Sequence, residues 1–469
     1  MDIAKIASRY VITSAAILLA CTAAVLAQDA DSNLVWPSFR GPYGNGTSTS
    51  ATPPTKWSAT ENVAWKQKVP GSGSSSPIVS GDRVFLTSAV AAKANAKAPK
   101  QLSDREIMKK FDADGDGRLN RTELGAARSF RQSQRKSSAQ KQKFLVLCYD
   151  RDSGDLIWEK VANEALPNEA PHRDHGYASA SPVTDGKHLY VNFGSYGLYC
   201  YDFDGNLRWK RNDLGTMTTR GTFGQGSSAT IFENVLVLPW DHEGQSYIAA
   251  INCDSGKTIW KTPRDEPSSW ASPLVVEVDG RKQVLQAGQN YSRGYDFESG
   301  EEIWRASGLS QRPICSPVMF GDLGFFGSYR GGAVLQAIPL TKKGDISSGV
   351  KWANNRQAPD VPSLLLSENR LYFTGGSKGI FSCVNAETGD PFFAPQRLPL
   401  KGVYSSPVSA NGFVFVTGRG GKTVVIDDAE TFSQVSTNDI GEPVDATLAL
   451  ADEDVFIRGK QHLFCIREK

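Results

Sequence analysis

The feature that most constrains this chain is a ten-residue template that keeps returning. Tyr149 to Trp158 reads YDRDSGDLIW, Ile251 to Trp260 reads INCDSGKTIW and Tyr295 to Trp304 reads YDFESGEEIW; Tyr201 to Trp209 is a copy one residue shorter. Each copy ends a β-like run, turns at Ser-Gly or Asp-Gly and opens a second run that carries the Trp, which is hairpin chemistry. Looser copies lie at Val384 to Phe393, where Phe393 takes the Trp place, at Ile338 to Trp352 with a longer turn, and around Ile426 to Val435. A unit of this size cannot bury its apolar face alone, so copies must stack on one another.

A second marker sets the count. A small residue with Pro opens an apolar run at Pro77, Pro182, Pro273, Pro317 and Pro407, with degenerate versions near Ala229, Ser363 and Thr447, in steps of 105, 47, 44, 44, 46, 44 and 40 residues. A period of about 40 to 50 residues with four short strands per period is the signature of a β-propeller. Eight markers predict eight blades, and an insert accounts for the long first step. Asn62 to Lys66 matches the Trp-bearing fourth strand but has no first three strands before it. The chain ends with strands expected at Ala446 to Leu450, Val455 to Arg458 and His462 to Arg467, one short of a blade. The amino-terminal strand therefore completes the last blade and leaves no open sheet edge. Composition agrees: 44 Gly and 10 Trp against 4 Met favour turns between aromatic-bearing strands over a helical bundle.

This repeat, at eight blades, resembles the pyrroloquinoline-quinone (PQQ)-like propeller repeats, which occur in quinoprotein alcohol dehydrogenases and in outer-membrane assembly lipoprotein scaffolds. The resemblance implies an all-β, eight-bladed propeller over residues 62–469 and fixes no activity, because fold does not imply function. Trp36 to Pro42 (WPSFRGP) resembles the lead-in of secreted bacterial propellers of this type, and residues 28–61 are expected to form a strap packed on the ring.

The amino terminus reads as an address. Lys5 and Arg9 precede an apolar run from Val11 to Ala27 that ends Val-Leu-Ala before Gln28, the pattern of a secretory signal peptide over residues 1–27. The run is short of the ~20 residues that span a bilayer, so the mature chain is expected to have no transmembrane span and to be periplasmic, cell-surface or secreted. An uncleaved anchor and lipidation at Cys21 are the alternatives.

The insert, residues 90–143 within blade one, carries the sharpest motif. Asp112 to Glu123 (DADGDGRLNRTE) resembles a full EF-hand loop. Oxygen ligands for Ca²⁺ are expected from Asp112, Asp114, Asp116, the backbone carbonyl of Arg118, a water held by Asn120 and a bidentate Glu123, with Gly117 permitting the sharp turn. Four carboxylates on one loop repel one another until a divalent ion offsets them. Ser103 with Glu106 forms a capping box, and Leu102 with Ile107 a hydrophobic staple, at the start of an entering helix. Residues 91–143 hold fourteen Lys and Arg against six Asp and Glu, a net +8 that leaves −6 for the rest of a chain whose total is +2. That near-neutral total gives no reason to expect a nucleic-acid partner.

Second-to-third-strand turns and blade crossings emerge on one face of a propeller, and the insert belongs to that face. His172, Arg173, Asp174, His175, Arg220, Asp241, His242, Glu243, Trp270, Tyr291, Arg293, Arg312 and Arg330 are expected there. The residue types a quinone with three carboxylates requires are present, yet the adjacent-cysteine pair of the alcohol dehydrogenases is missing. Cys148, Cys200, Cys383 and Cys465 fall at one repeat position and read as core residues, whereas Cys253 and Cys315 are left open to a disulfide. Gly375 to Gly379 (GGSKG) reads as a turn, and Gly421-Lys422-Thr423 lacks the upstream glycine of a phosphate loop. The sequence thus points to an exported, non-enzymatic scaffold that binds an envelope or extracellular protein or ligand on its loop face and Ca²⁺ in its insert. A PQQ-dependent oxidoreductase is the alternative. Oligomeric state is not legible.

Overall fold

In the computed structural model the described residues are 35–92, 103–112, 115–120, 123–124, 127, 140–169, 172, 175–375 and 379–468. Each template turn closes the outer hairpin of a sheet, and eight such antiparallel sheets form a ring. Blade one is Ile78–Ser80, Arg83–Ala91, Gln142–Asp150 and Leu156–Ala165. The first strands of blades two to eight begin at Val183, Thr230, Leu274, Val318, Leu365, Val408 and Ala449, each one or two residues after its marker. The expected closure is present: Val63–Lys68 pairs antiparallel with His462–Ile466 and completes blade eight.

One local expectation needs correction. The first strand of blade eight is Ala449–Ala451 and does not begin at Ala446. The Thr447 N–H is committed instead to the Ser76 hydroxyl, 3.0 Å away, which holds this stretch in the ring's inner wall and out of the ladder.

The template residues do two jobs. The Asp or Asn that ends the third strand accepts turn N–H groups, as in Asp150 Oδ1 from Ser153 N at 2.8 Å and Asn252 Oδ1 from Ser255 N at 3.0 Å. The Trp docks on the next blade: Nε1 of Trp65, Trp158, Trp209, Trp260 and Trp352 donates to the carbonyls of Arg151, Phe203, Cys253, Phe297 and Ala386 at 2.7–3.0 Å. The template glycine of that next blade lies beneath the indole. At Gly256, φ is +68° and a Cβ would stand 2.7 Å from the Trp209 ring, so both conformation and space require glycine. Trp304 is the exception, donating to Gln283 Oε1 in its own blade at 2.9 Å. The longer turn of blade five reaches back there, and Gly344–Asp345 pairs in parallel with Trp304 and Arg305.

Residues 35–61 lie against the ring. Trp36 is fully buried and bridges Val79, the Thr184 N–H donates to the Pro37 carbonyl, and Thr47–Ser48 adds in parallel to Val408–Ala410. The Thr184, Leu366 and Ser409 N–H groups all bond this segment from first strands, so it crosses the channel on the side away from the blade crossings. The strands of blade one flanking the insert run to nine residues each, longer than their counterparts in other blades, and the insert emerges between them on the crossing face.

Candidate functional site

Eight hydroxyls line the channel at the starts of the first strands. The backbone N–H of Ser76 donates to Ser181 Oγ, Ser181 to Ser228, Ser228 to Ser272, Ser272 to Ser316, Ser316 to Ser363, Ser363 to Ser406, Ser406 to Thr447 and Thr447 to Ser76, at 2.8–3.1 Å. The circuit is closed, and every member is at least nine-tenths buried. Sequence reasoning used these positions only as strand openers. The signal that identifies them is a hydroxyl residue at all eight equivalent places.

Above the circuit lies a cavity of about 450 Å³ that opens to the crossing face, with Phe39 of the amino-terminal segment also on its wall. Each crossing contributes a different side chain: His172 and His175, Phe223, Trp270, Arg312, Val361, Tyr404 and Asp445, with Ser74 from the closing blade. The rings interlock. His172 packs on Phe223 at 4.6 Å between centroids, Trp270 meets Phe223 edge-on at 6.0 Å, and the Arg312 guanidinium lies 5.0 Å above the Phe223 ring. His175 Nδ1 is 2.7 Å from Ser179 Oγ, and Trp270 Nε1 donates to the Gly224 carbonyl at 2.8 Å.

The ionic groups at the rim differ in their partners. Arg330 is tied to Asp360 through two contacts of 3.0 Å, and Arg419, stacked on Tyr404 at 4.0 Å, reaches Asp445 at 2.7 Å. Burial pushes the Asp360 carboxyl above its usual range against the pull of Arg330. Arg312 makes no hydrogen bond or ion pair among the described residues, and its Nε is buried without an acceptor. Its φ of +60° and that of Thr222, +54°, are left-handed outside the strand-connecting hairpins. Strain of this kind concentrates at functional sites.

Of the expected loop-face residues, the structure brings His172, His175, Trp270, Arg312 and Arg330 together at the cavity. Arg173 and Asp174 lie outside the described residues. His242, Glu243 and Arg293 line instead an open groove of about 590 Å³ on blades three and four, where Arg220 lies 3.5 Å from Glu243 and the Tyr291 N–H donates to Glu266. Beneath it Arg264 is wholly buried, with Nε 2.8 Å from Asp241 Oδ1 and Nη1 donating to the Tyr295 hydroxyl at 2.6 Å. Burial drives the Asp241 carboxyl up while Arg264 opposes it. Arg293 is shared among Asp265, Glu266 and Glu302. These charges satisfy one another and hold the two blades together.

In the insert, Asp104–Phe111 is a helix with the expected capping box between Ser103 and Glu106. Asp112 Oδ2 accepts the Gly117 N–H at 2.9 Å, and Asp116 Oδ1 accepts the Arg118 N–H at 2.7 Å. Asn120 and Glu123 exchange reciprocal bonds of 3.1 and 3.0 Å, a second capping box opening the next helical turn. Gly115 and Gly117 have φ of +70° and +76°. Asp112 Oδ1 is buried without a hydrogen-bond partner. Asp114 and Leu102, and with Leu102 the expected staple, lie outside the described residues.

All six described cysteines are free, buried thiols, and none lines the channel. Among the described residues no helix is long and apolar enough to cross a membrane. Cys21, residues 1–27 and Ser377 are outside the described residues.

A family model described as outer membrane protein assembly factor BamB matches residues 142–395. No curated protein matches the chain. Among solved structures, BamB from Moraxella catarrhalis is similar at 15% identity and a TM-score of 0.51, over 69% of this chain and 89% of its own. Sqt1 from Saccharomyces cerevisiae is similar at 10% identity and a TM-score of 0.52, over 70% and 93%. At such identities the likeness is one of fold.

Proposed function

The chain belongs to the family of the outer membrane protein assembly factor BamB, and from that premise we propose an exported scaffold of the cell envelope that presents its crossing face to a protein or ligand partner. One observation carries this reading. The residues that hold the ring repeat from blade to blade, whereas the crossings, which build no part of the sheets, carry a different side chain in each. A fold with a uniform frame and one individual face displays that face.

The insert on the same face is an EF-hand that binds Ca²⁺. Asp112 Oδ1, Asp116, the Arg118 carbonyl, a water held by Asn120, and Glu123 supply the hard oxygens this ion takes, with Asp114 completing the set, and the two left-handed glycines support the loop. Calcium orders the insert and so shapes the face beside the channel. Calorimetric titration of the full chain against Glu123→Gln tests this: wild type takes up one ion and the variant does not, and equal uptake by both overturns the assignment. The scaffold reading predicts that partner capture by the wild type is weakened by chelator.

The quinoprotein reading fits the channel poorly. Its Asp445 is held by Arg419 and Lys460, and Asp360, near its rim, by Arg330, which leaves neither carboxylate free as a base. Among the described residues no thiol reaches the cavity.

A further inference from the structure

The channel floor is built from hydroxyl donors, and Asp445, the carboxylate on its wall, is already held by Arg419 and Lys460. A hydroxyl has one O–H to give and two lone pairs. Each of the eight ring hydroxyls spends a lone pair on a neighbouring N–H, and none donates to another group among the described residues. Eight buried O–H donors are therefore left on one circuit. The protein around them carries cations without counter-charge. Arg40, 4% exposed, donates to the carbonyls of Leu364, Pro407 and Asn45, meets no carboxylate among the described residues, and has an unpartnered Nε. Two of those carbonyls belong to residues adjacent to ring members, so the charge sits beside the circuit. Among the described residues Arg458, 3% exposed, donates only to Ser75. Burial lowers both guanidiniums to about 10. At the mouth stands Arg312, with neither ion pair nor hydrogen bond.

Burying a cation without an anion is costly. Other guanidiniums do meet a carboxylate: Arg264 and Arg370 away from the channel, and Arg330 and Arg419 at its rim, each face an aspartate. Among the described residues the channel combines one unmatched guanidinium on its wall, Arg312, two more buried beside the circuit, unused O–H donors and a cavity of ligand size, about 450 Å³. A carboxylate accepts from O–H and guanidinium together and matches this set.

We propose that the channel binds a carboxylate, seated between the ring hydroxyls below and Arg312 above. The group is either that of a small aliphatic acid or an acidic side chain of a docked peptide, and Phe223 and Trp270 pack on whatever carries it. The site needs only the ring and its rim, so it stands independently of the calcium and scaffold readings.

Trp270 on the wall provides an optical signal. The full chain is titrated at low salt with citrate, with the blocked peptide Ac-Glu-Glu-Glu-Glu-NH₂ and with neutral succinamide, each to about 10 mM, by tryptophan fluorescence and calorimetry. One-to-one binding of citrate marks a small-acid site, and preference for the peptide marks a docked side chain. In either case Arg312→Gln weakens binding about tenfold or more, as loss of a charged hydrogen bond does, Arg312→Lys keeps part of it, and succinamide does not bind. Unchanged melting of both variants separates this loss from misfolding, and unchanged calcium uptake separates it from the EF-hand. No saturation by either carboxylate, equal binding of succinamide, or undiminished affinity in Arg312→Gln overturns the proposal.

Discussion

Two levels of the same channel differ in kind. At the hydroxyl circuit, eight blades contribute seven Ser and one Thr in equivalent places, each doing the same job for its neighbour. At the rim above, the same eight blades contribute two histidines, a phenylalanine, a tryptophan, an arginine, a valine, a tyrosine, an aspartate and a serine. The lower level obeys the rotational symmetry of the ring because every blade must close onto the next. The upper level is released from that demand, since a crossing has only to reach the following strand. What is identical holds the molecule together, and what differs gives it something to recognise.

This contrast predicts where substitutions cost stability. The largest loss is expected for Trp65→Ala, which removes the indole that docks blade eight on blade one at the point of closure; about 3–5 kcal/mol is lost, measured by denaturant unfolding. Next is Gly256→Ala, where the added Cβ meets the Trp209 indole in a left-handed conformation; about 2–4 kcal/mol is expected. Ser272→Ala leaves the Ser228 N–H buried without an acceptor, at a cost of about 1–3 kcal/mol. At the rim, Arg312→Gln breaks no hydrogen bond or ion pair among the described residues and loses only the contact with the Phe223 ring, so it should stay within about 1 kcal/mol of wild type. A rim substitution as costly as a ring substitution would erase the distinction.

The smallest effect concerns pH. The Ser153 N–H, with Asp152 N–H behind it, holds the Asp150 carboxyl below its usual range, against a contribution from burial that raises it. A carboxyl depressed in the folded state contributes stability that is fully present above its unfolded pKa, about 3.9, and is lost as pH falls through its lower folded value. Asp150→Asn should therefore flatten the acid limb of the stability curve below about pH 4 and leave that slope unchanged at neutral pH. An unaltered acid limb would show that the template turn is held by its backbone alone.

Much of the frame was legible from the chain because its determinants are local and repeated. A turn glycine, the Trp six residues or fewer behind it, and the Ser-Pro step all lie within one period, so self-similarity exposed them. The missing strand at the carboxy terminus could be matched to Val63–Lys68 by counting. Inside the insert, the capping box at Ser103 and Glu106 was readable for the same reason. The channel was not. Arg312 and Phe223 are 89 residues apart and share no pattern, and Arg220 and Arg293 looked like equal candidates until the structure placed them beside Glu243 and Glu266. The uncharged company of Arg40 was equally hidden, since nothing around WPSFRGP marks its arginine as buried.

The sequence by itself determined that this protein repeats, how many times, and how its ends meet, because hydrogen-bonded turns and strand periodicity act over a few residues and leave their spacing in the text. Only the tertiary structure decided which side chains share the channel and which charges go unmatched. Those relations come into being when the ring closes, which brings residues hundreds of positions apart to one axis.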